Sequence, residues 1–127
     1  VDIWVTWVYN ILYTELSEID MSNFDYDQFD RNMAHYESVR KELGLDARWS
    51  IFEIENLSVT HPFETAKTVS YKSHVTNKTI VKPIIGGTFA ALYMAANACI
   101  RESLDEHHVF IEAFRQNGDT LELTTGS

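Results

Sequence analysis

Residues 88–100 form an almost uninterrupted run of apolar and small residues, TFAALYMAANACI. A helix of this composition has no polar side to turn toward water, so the rest of the fold must cover most of its circumference. Gly86 and Gly87 allow the chain to turn just before it, and Thr88 is suited to cap its first turn. The sequence therefore predicts a buried central helix that begins at Thr88.

Composition and charge limit the kind of protein that can surround this helix. The chain has 127 residues, 45% of them hydrophobic, which predicts one α+β domain over residues 1–127 with one core. Its net charge of −9 repels nucleic acid and anionic membranes, so we expect it to bind neither directly. Cys99 is the sole cysteine and no apolar run is long enough to cross a bilayer, so we expect a cytoplasmic protein without an intramolecular disulfide.

The spacing of apolar residues predicts the remaining elements. A spacing of three and four predicts two N-terminal helical segments, over residues 3–19 and 25–43, although the first also contains many strand-favouring residues. Alternation predicts strands over 48–57, 67–74 and 79–85, and a last hairpin that starts at His108 and turns at residues 117–119. We therefore expect an antiparallel sheet of about five strands packed against the central helix.

The start of the central helix is the first candidate site. Unpaired backbone N–H groups and the helix dipole attract anions there, and Gly86, Gly87 and Thr88 are placed to form the approach. No Gly-Lys-Ser or Gly-Lys-Thr is present, which argues against an ordinary nucleoside triphosphatase. The alternative interpretation is a tight turn that enters a crowded helix.

A polar stripe on the same helix is the second candidate. Tyr93, Asn97 and Arg101 follow one another at intervals of four residues and so share one face. Tyrosine stacks on bases, asparagine reads a base or an amide, and arginine clamps phosphate with its planar fork. Alternatively, Asn97 and Arg101 bond neighbouring backbone, or Arg101 pairs with Asp105.

These features predict a small acidic, noncatalytic protein that captures a phosphorylated, nucleotide-like molecule as a homo-oligomer. Arg115 or a lysine from residues 67–82 would complete the positive charge of the site. The expected ligand-binding residues are Gly86, Gly87, Thr88, Tyr93, Asn97, Arg101 and Arg115. The oligomer is expected because aromatic residues make up 13% of the chain, more than one small core readily covers. Closure of the helix start by the molecule's own side chains, together with internal neutralisation of Arg101, would remove this site.

Two other functions compete with this one. The first is an acidic module or inhibitor that docks a basic or nucleic-acid-binding protein through an acidic run: Glu15, Glu18, Asp20, Asp25, Asp27 and Asp30. The second is a small hydrolase or lyase that uses a carboxylate pair, Glu53 with Glu112, or the histidines His107 and His108. We expect no metal or other cofactor, since adjacent ligand-type residues diverge in direction and no HxxxH or HExxH is present.

Overall fold

A computed structural model describes residues 24–127, so the helix predicted over residues 3–19 lies outside the described residues. Two helices and five strands make up this part of the chain. In chain order they are α1 (Tyr26–Leu43), β1 (Arg48–Trp49), β2 (Thr68–Lys72), β3 (Thr79–Pro83), α2 (Phe89–Glu102), β4 (Phe110–Asn117) and β5 (Thr120–Gly126). The described elements confirm an α+β architecture.

The five strands form one sheet in the order β1-β4-β5-β2-β3. The two predicted hairpins, β2 with β3 and β4 with β5, are antiparallel. The prediction of a purely antiparallel sheet is wrong, because β5 runs parallel to β2 and β1 runs parallel to β4. Two neighbouring parallel strands need a long connection between them. Here α2, which lies between β3 and β4 in the chain, is part of the connection from β1 to β4 and of the connection from β2 to β5. Alternation in the sequence predicts each hairpin, but it does not predict in which direction the strands of two hairpins pair.

The strand predicted over residues 48–57 ends at Trp49. Side chains of α1 bind the backbone beyond it, so these residues do not continue the sheet. The Tyr36 hydroxyl donates to the carbonyl oxygens of Ile51, at 3.0 Å, and Ile54. Asn32 donates to the Phe52 carbonyl oxygen at 2.8 Å. A buried backbone group needs a hydrogen-bond partner, but the partner need not be another strand. Here side chains of α1 bind the carbonyl oxygens that a neighbouring strand would bind in the predicted sheet.

Local signals fix the ends of α1 where the sequence predicts them. The Asp25 carboxylate accepts a hydrogen bond from the Gln28 N–H at 2.9 Å, which caps the first turn. Gly44 follows the last turn at φ 67°, a conformation that glycine adopts without steric cost. The Leu45 N–H then reaches back to the Arg40 carbonyl oxygen at 2.9 Å, which closes the helix end.

The central helix α2 is buried as its composition predicts: nine of its 14 residues are buried. It packs on β2 and β3. The core continues to the β1 edge of the sheet through Trp49, whose ring lies 5.6 Å from that of Tyr93 and 5.9 Å from that of Phe114. This aromatic group joins α2 to β1 and β4, the strands nearest the site described below.

Within residues 24–127, neither helix combines the length and the apolar character that crossing a membrane requires.

We predict that Tyr36→Phe destabilises the protein by about 1–2 kcal/mol, because two buried carbonyl oxygens lose their shared hydroxyl donor. Urea unfolding followed by tryptophan fluorescence measures the change. Tyr26→Phe is the matched control, since Tyr26 is about half exposed at the start of the same helix, and it should stay within about 0.5 kcal/mol of wild type. Equal stability of all three proteins would contradict the role given to Tyr36.

Candidate functional site

The first N–H groups of α2 are bound by the chain itself. The Phe89 N–H donates to the Val59 carbonyl oxygen at 3.0 Å, and the Ala90 N–H donates to the Leu57 carbonyl oxygen at 2.8 Å. Thr88 caps the helix through its hydroxyl, which accepts from the Ala91 N–H at 3.3 Å. The loop of residues 57–61 therefore takes up the donors that an anion would use.

The polar stripe of α2 binds the loop between α1 and β1. The Asn97 side-chain oxygen accepts hydrogen bonds from the N–H groups of Asp46 and Ala47, each at 2.8 Å. The Tyr93 hydroxyl donates to the Ala47 carbonyl oxygen. Both side chains are buried, and burial raises the pKa of Tyr93 to about 12. Neighbouring backbone is one of the partners that the sequence allows for Asn97, and the structure places it there.

Arg101 continues the stripe at the rim of the molecule. Its Nε donates to the Asp46 carboxylate at 2.6 Å, and its Nη2 donates to the Gly44 carbonyl oxygen at 2.7 Å. The Arg101 guanidinium holds the pKa of Asp46 below its usual value. The acidic partner is thus Asp46 rather than Asp105, and Arg101 keeps 52% of its side chain exposed.

Two findings would remove the predicted anion site: a closed start of α2 and an Arg101 whose charge is balanced within the protein. The start of α2 is closed by the backbone of residues 57–59 together with the hydroxyl of Thr88. The charge of Arg101 is balanced by Asp46. A ligand at Gly86, Gly87 and Thr88 remains a prediction, but the geometry no longer favours that position.

The other expected cations lie apart from this helix start. Arg115 pairs with Glu122 at 3.2 Å across β4 and β5, with 68% of its side chain exposed. Lys82 pairs with Glu102 at 3.1 Å, at the opposite end of α2 from Gly87. The structure therefore does not gather Arg115 and Arg101 into one site.

An open groove of about 540 Å³ runs beside the C-terminal end of α2, and Arg101 lines it. Its volume lies within the range of small-molecule sites. Ile100 and Val109 are apolar lining residues, and Arg48 is a second lining arginine. The nearest carboxylate partner of Arg48 is Glu37 at 3.4 Å, a longer contact than that of Arg101, and half of the Arg48 side chain is exposed. Three acidic residues, Asp46, Asp105 and Glu106, line the same groove.

Sequence reasoning missed Arg48 and Leu104 as members of a site. Arg48 reads as an ordinary strand residue, and only the parallel pairing of β1 with β4 brings it beside α2. Leu104 lines the groove at φ 63° with 72% of its surface exposed. Helices commonly end with glycine in this conformation, so a leucine here is unusual. Its apolar side chain gives the groove a hydrophobic wall next to the two arginines.

Next to the groove, Asp105 and His108 form a contact between a buried carboxylate and an imidazole. The His108 Nδ1 lies 2.6 Å from the Asp105 Oδ2, and the Asp105 side chain is only 3% exposed. The His107 N–H and the His108 side chain hold the pKa of Asp105 below its usual value despite its burial. The ring of His74, from the turn between β2 and β3, stacks on His108 with centroids 4.1 Å apart.

The groups proposed for the competing functions occupy separate places. The charge of Glu53 acts on the Tyr36 phenol, which burial and that charge keep above its usual pKa. Glu112 lies on β4, where its carboxylate stands against Gly126. In the acidic run, Asp25 caps α1, Asp27 and Asp30 are exposed on its first turns, and Glu15, Glu18 and Asp20 lie outside the described residues. Among residues 24–127, no three His, Cys, Asp or Glu side chains are grouped to hold a metal ion.

Comparisons of the chain with protein-family models, with curated proteins and with solved structures found no match.

We predict that Asn97→Ala destabilises the protein by about 3 kcal/mol, because the Asp46 and Ala47 N–H groups lose their acceptor. Arg101→Ala should cost clearly less than Asn97→Ala, since its ion pair is half exposed. Denaturant unfolding of both variants checks this order. An Asn97→Ala protein as stable as wild type would show that the amide does not hold the loop.

We predict that Cys99 does not react with Ellman's reagent in the folded protein at mildly alkaline pH. Burial raises the pKa of its thiol to about 12, so almost no thiolate is present at the mildly alkaline pH of the assay. Absorbance of the released thionitrobenzoate measures the reaction, and addition of guanidinium chloride should release one equivalent. Rapid labelling without denaturant would contradict the burial of this side chain.

Proposed function

We propose that this protein captures a small phosphorylated, nucleotide-like molecule without turning it over, and that the groove beside α2 is its binding site. The observation that carries the proposal is that two arginines with half-exposed side chains, Arg48 and Arg101, line one groove together with apolar residues. One planar guanidinium group can bind two phosphate oxygens at once. The apolar side chains of Ile100, Val109 and Leu104 suit the apolar faces of a base or ring.

The acidic members of the groove define the chemistry further. Asp46 already balances Arg101, so an incoming phosphate competes with or joins that carboxylate. Glu106 is exposed and suits a ligand that also offers hydroxyl or amino donors, as nucleotides do. A ligand with both an anionic and a donor end is therefore favoured over inorganic phosphate alone.

The homo-oligomer is a separate part of the proposal. It is supported by the one uncovered stripe of α2, where Ala90, Met94 and Ala98 follow one another at intervals of four residues. Ile85, which is almost fully exposed just before the helix, adds to the apolar surface. Light scattering measures the number of subunits, and a monomer at micromolar concentration would contradict this part without touching the groove.

We predict that a nucleotide raises the melting temperature of the protein and that the double variant Arg48→Ala/Arg101→Ala weakens its binding by about tenfold or more. A thermal-shift panel of nucleoside mono-, di- and triphosphates, cyclic nucleotides and inorganic phosphate finds the ligand. Isothermal titration calorimetry then measures the affinities of the variants.

Arg115→Ala is the matched control for that experiment, since it removes the same charge from an exposed ion pair outside the groove. It should bind as wild type, whereas equal weakening would restore Arg115 to the site expected from the sequence. Absence of a shift with every phosphorylated compound would overturn the proposal.

A further inference from the structure

His108 is held in one orientation by two contacts on different sides of its ring. The Asp105 carboxylate contacts Nδ1 at 2.6 Å. His74 lies flat against one face, with an interplanar angle of 19°. The two contacts, at Nδ1 and at one ring face, do not involve Nε2, and a third of the His108 side chain is exposed.

Asp105 is itself fixed by the backbone. Its Oδ1 accepts the N–H of His107 at 2.8 Å and the N–H of His108 at 3.3 Å, while Oδ2 faces the imidazole. The Ser103 hydroxyl also accepts the Asp105 N–H at 3.2 Å. A carboxylate bound in this way is an acceptor only, so the proton of a neutral His108 resides on Nδ1.

The loop that carries these residues is anchored to the rest of the fold. The buried Ser73 hydroxyl, at the end of β2, donates to the Ser103 carbonyl oxygen at 2.7 Å and accepts the N–H groups of Val75 and Thr76. His74 follows Ser73 directly, so the same turn supplies the stacking ring. The imidazole is thus positioned by two elements, as expected of a preorganised reactive group.

We propose that His108 is a phosphoryl acceptor, modified on Nε2 by a small phosphodonor with a good leaving group, such as an acyl phosphate or a phosphoramidate. A tautomer with its proton on Nδ1 presents a lone pair on Nε2, and an oriented base or nucleophile of this kind is the usual feature of covalent histidine chemistry. This inference does not rest on the groove function proposed above, although Asp105 also lines that groove.

The transfer step balances without any further reactant. The Nε2 lone pair forms a bond to phosphorus as the bond between phosphorus and the leaving group breaks. The leaving group departs with that electron pair, as a carboxylate from an acyl phosphate or as ammonia from a phosphoramidate whose nitrogen already carries the extra proton. The proton on Nδ1 stays in place. The positive charge that the ring gains in the step lies beside the Asp105 carboxylate, which stabilises it.

The test treats the full chain with potassium phosphoramidate and measures phosphorylation by intact mass spectrometry, alkaline peptide mapping and ³¹P NMR. We expect one acid-labile phosphoryl group on Nε2 of His108. His107 is more exposed than His108, so exposure alone would direct the reagent to His107 first. Labelling of His107 at the same rate as His108, or absence of histidine labelling, would overturn the proposal.

Variants separate the positioning role of Asp105 from general reactivity. His108→Gln should abolish the labelling, and Asp105→Asn should slow it by roughly tenfold, a typical effect of removing the carboxylate partner of a functional histidine. His107→Gln is the matched control and should react as wild type. An Asp105→Asn protein that reacts as fast as wild type would contradict the positioning role. Peptide mapping of the labelled wild-type protein identifies the phosphorylated histidine even if a variant fails to fold.

Discussion

The anchoring of the α1–β1 loop on α2 is the interaction on which the site side of the molecule depends. Asn97 accepts two backbone N–H groups of that loop, Tyr93 donates to a carbonyl oxygen, and Arg101 binds its outer end. Because these groups satisfy buried backbone, loss of the amide leaves donors without acceptors in a medium that solvates them poorly. The loop in turn sets where β1 begins, and hence where Arg48 and Trp49 lie.

The same principle explains the segment after β1. A stretch with strand-like alternation is held by Asn32 and Tyr36 of α1, and the His35 imidazole accepts the Leu57 N–H at 2.9 Å. Three side chains of one helix thus take the place of the hydrogen bonds that a neighbouring strand would supply. Residues 57–59 then pass over the start of α2 and bind its first N–H groups. Polar side chains of helices, rather than strand pairing, therefore organise the middle of the chain.

Local patterns in the sequence predict local structure well. Asp25 and Gly44 mark the ends of α1, Thr88 marks the start of α2, and Gly118, at φ 64°, marks the turn of the last hairpin. The candidate site was harder to predict, because its groups come from segments distant in sequence. The partners of Asn97 lie about 50 residues away, at Asp46 and Ala47, and nothing in the helix itself indicates whether its polar stripe faces a ligand or a loop. For Arg101, the regular spacing that identifies the residue does not identify its partner, Asp46, which only the docking of the α1–β1 loop on α2 supplies.

The two contacts of Arg101 have a thermodynamic consequence. One guanidinium both closes the loop after α1 and borders the groove, so any anion that draws it away from Asp46 also releases the carbonyl oxygen of Gly44. Occupancy of the groove and mobility of the loop are then coupled, and by linkage each changes the equilibrium of the other by the same free energy. The C-terminal end of α1 would then become more mobile when the groove is occupied, although Gly44 itself does not line the groove.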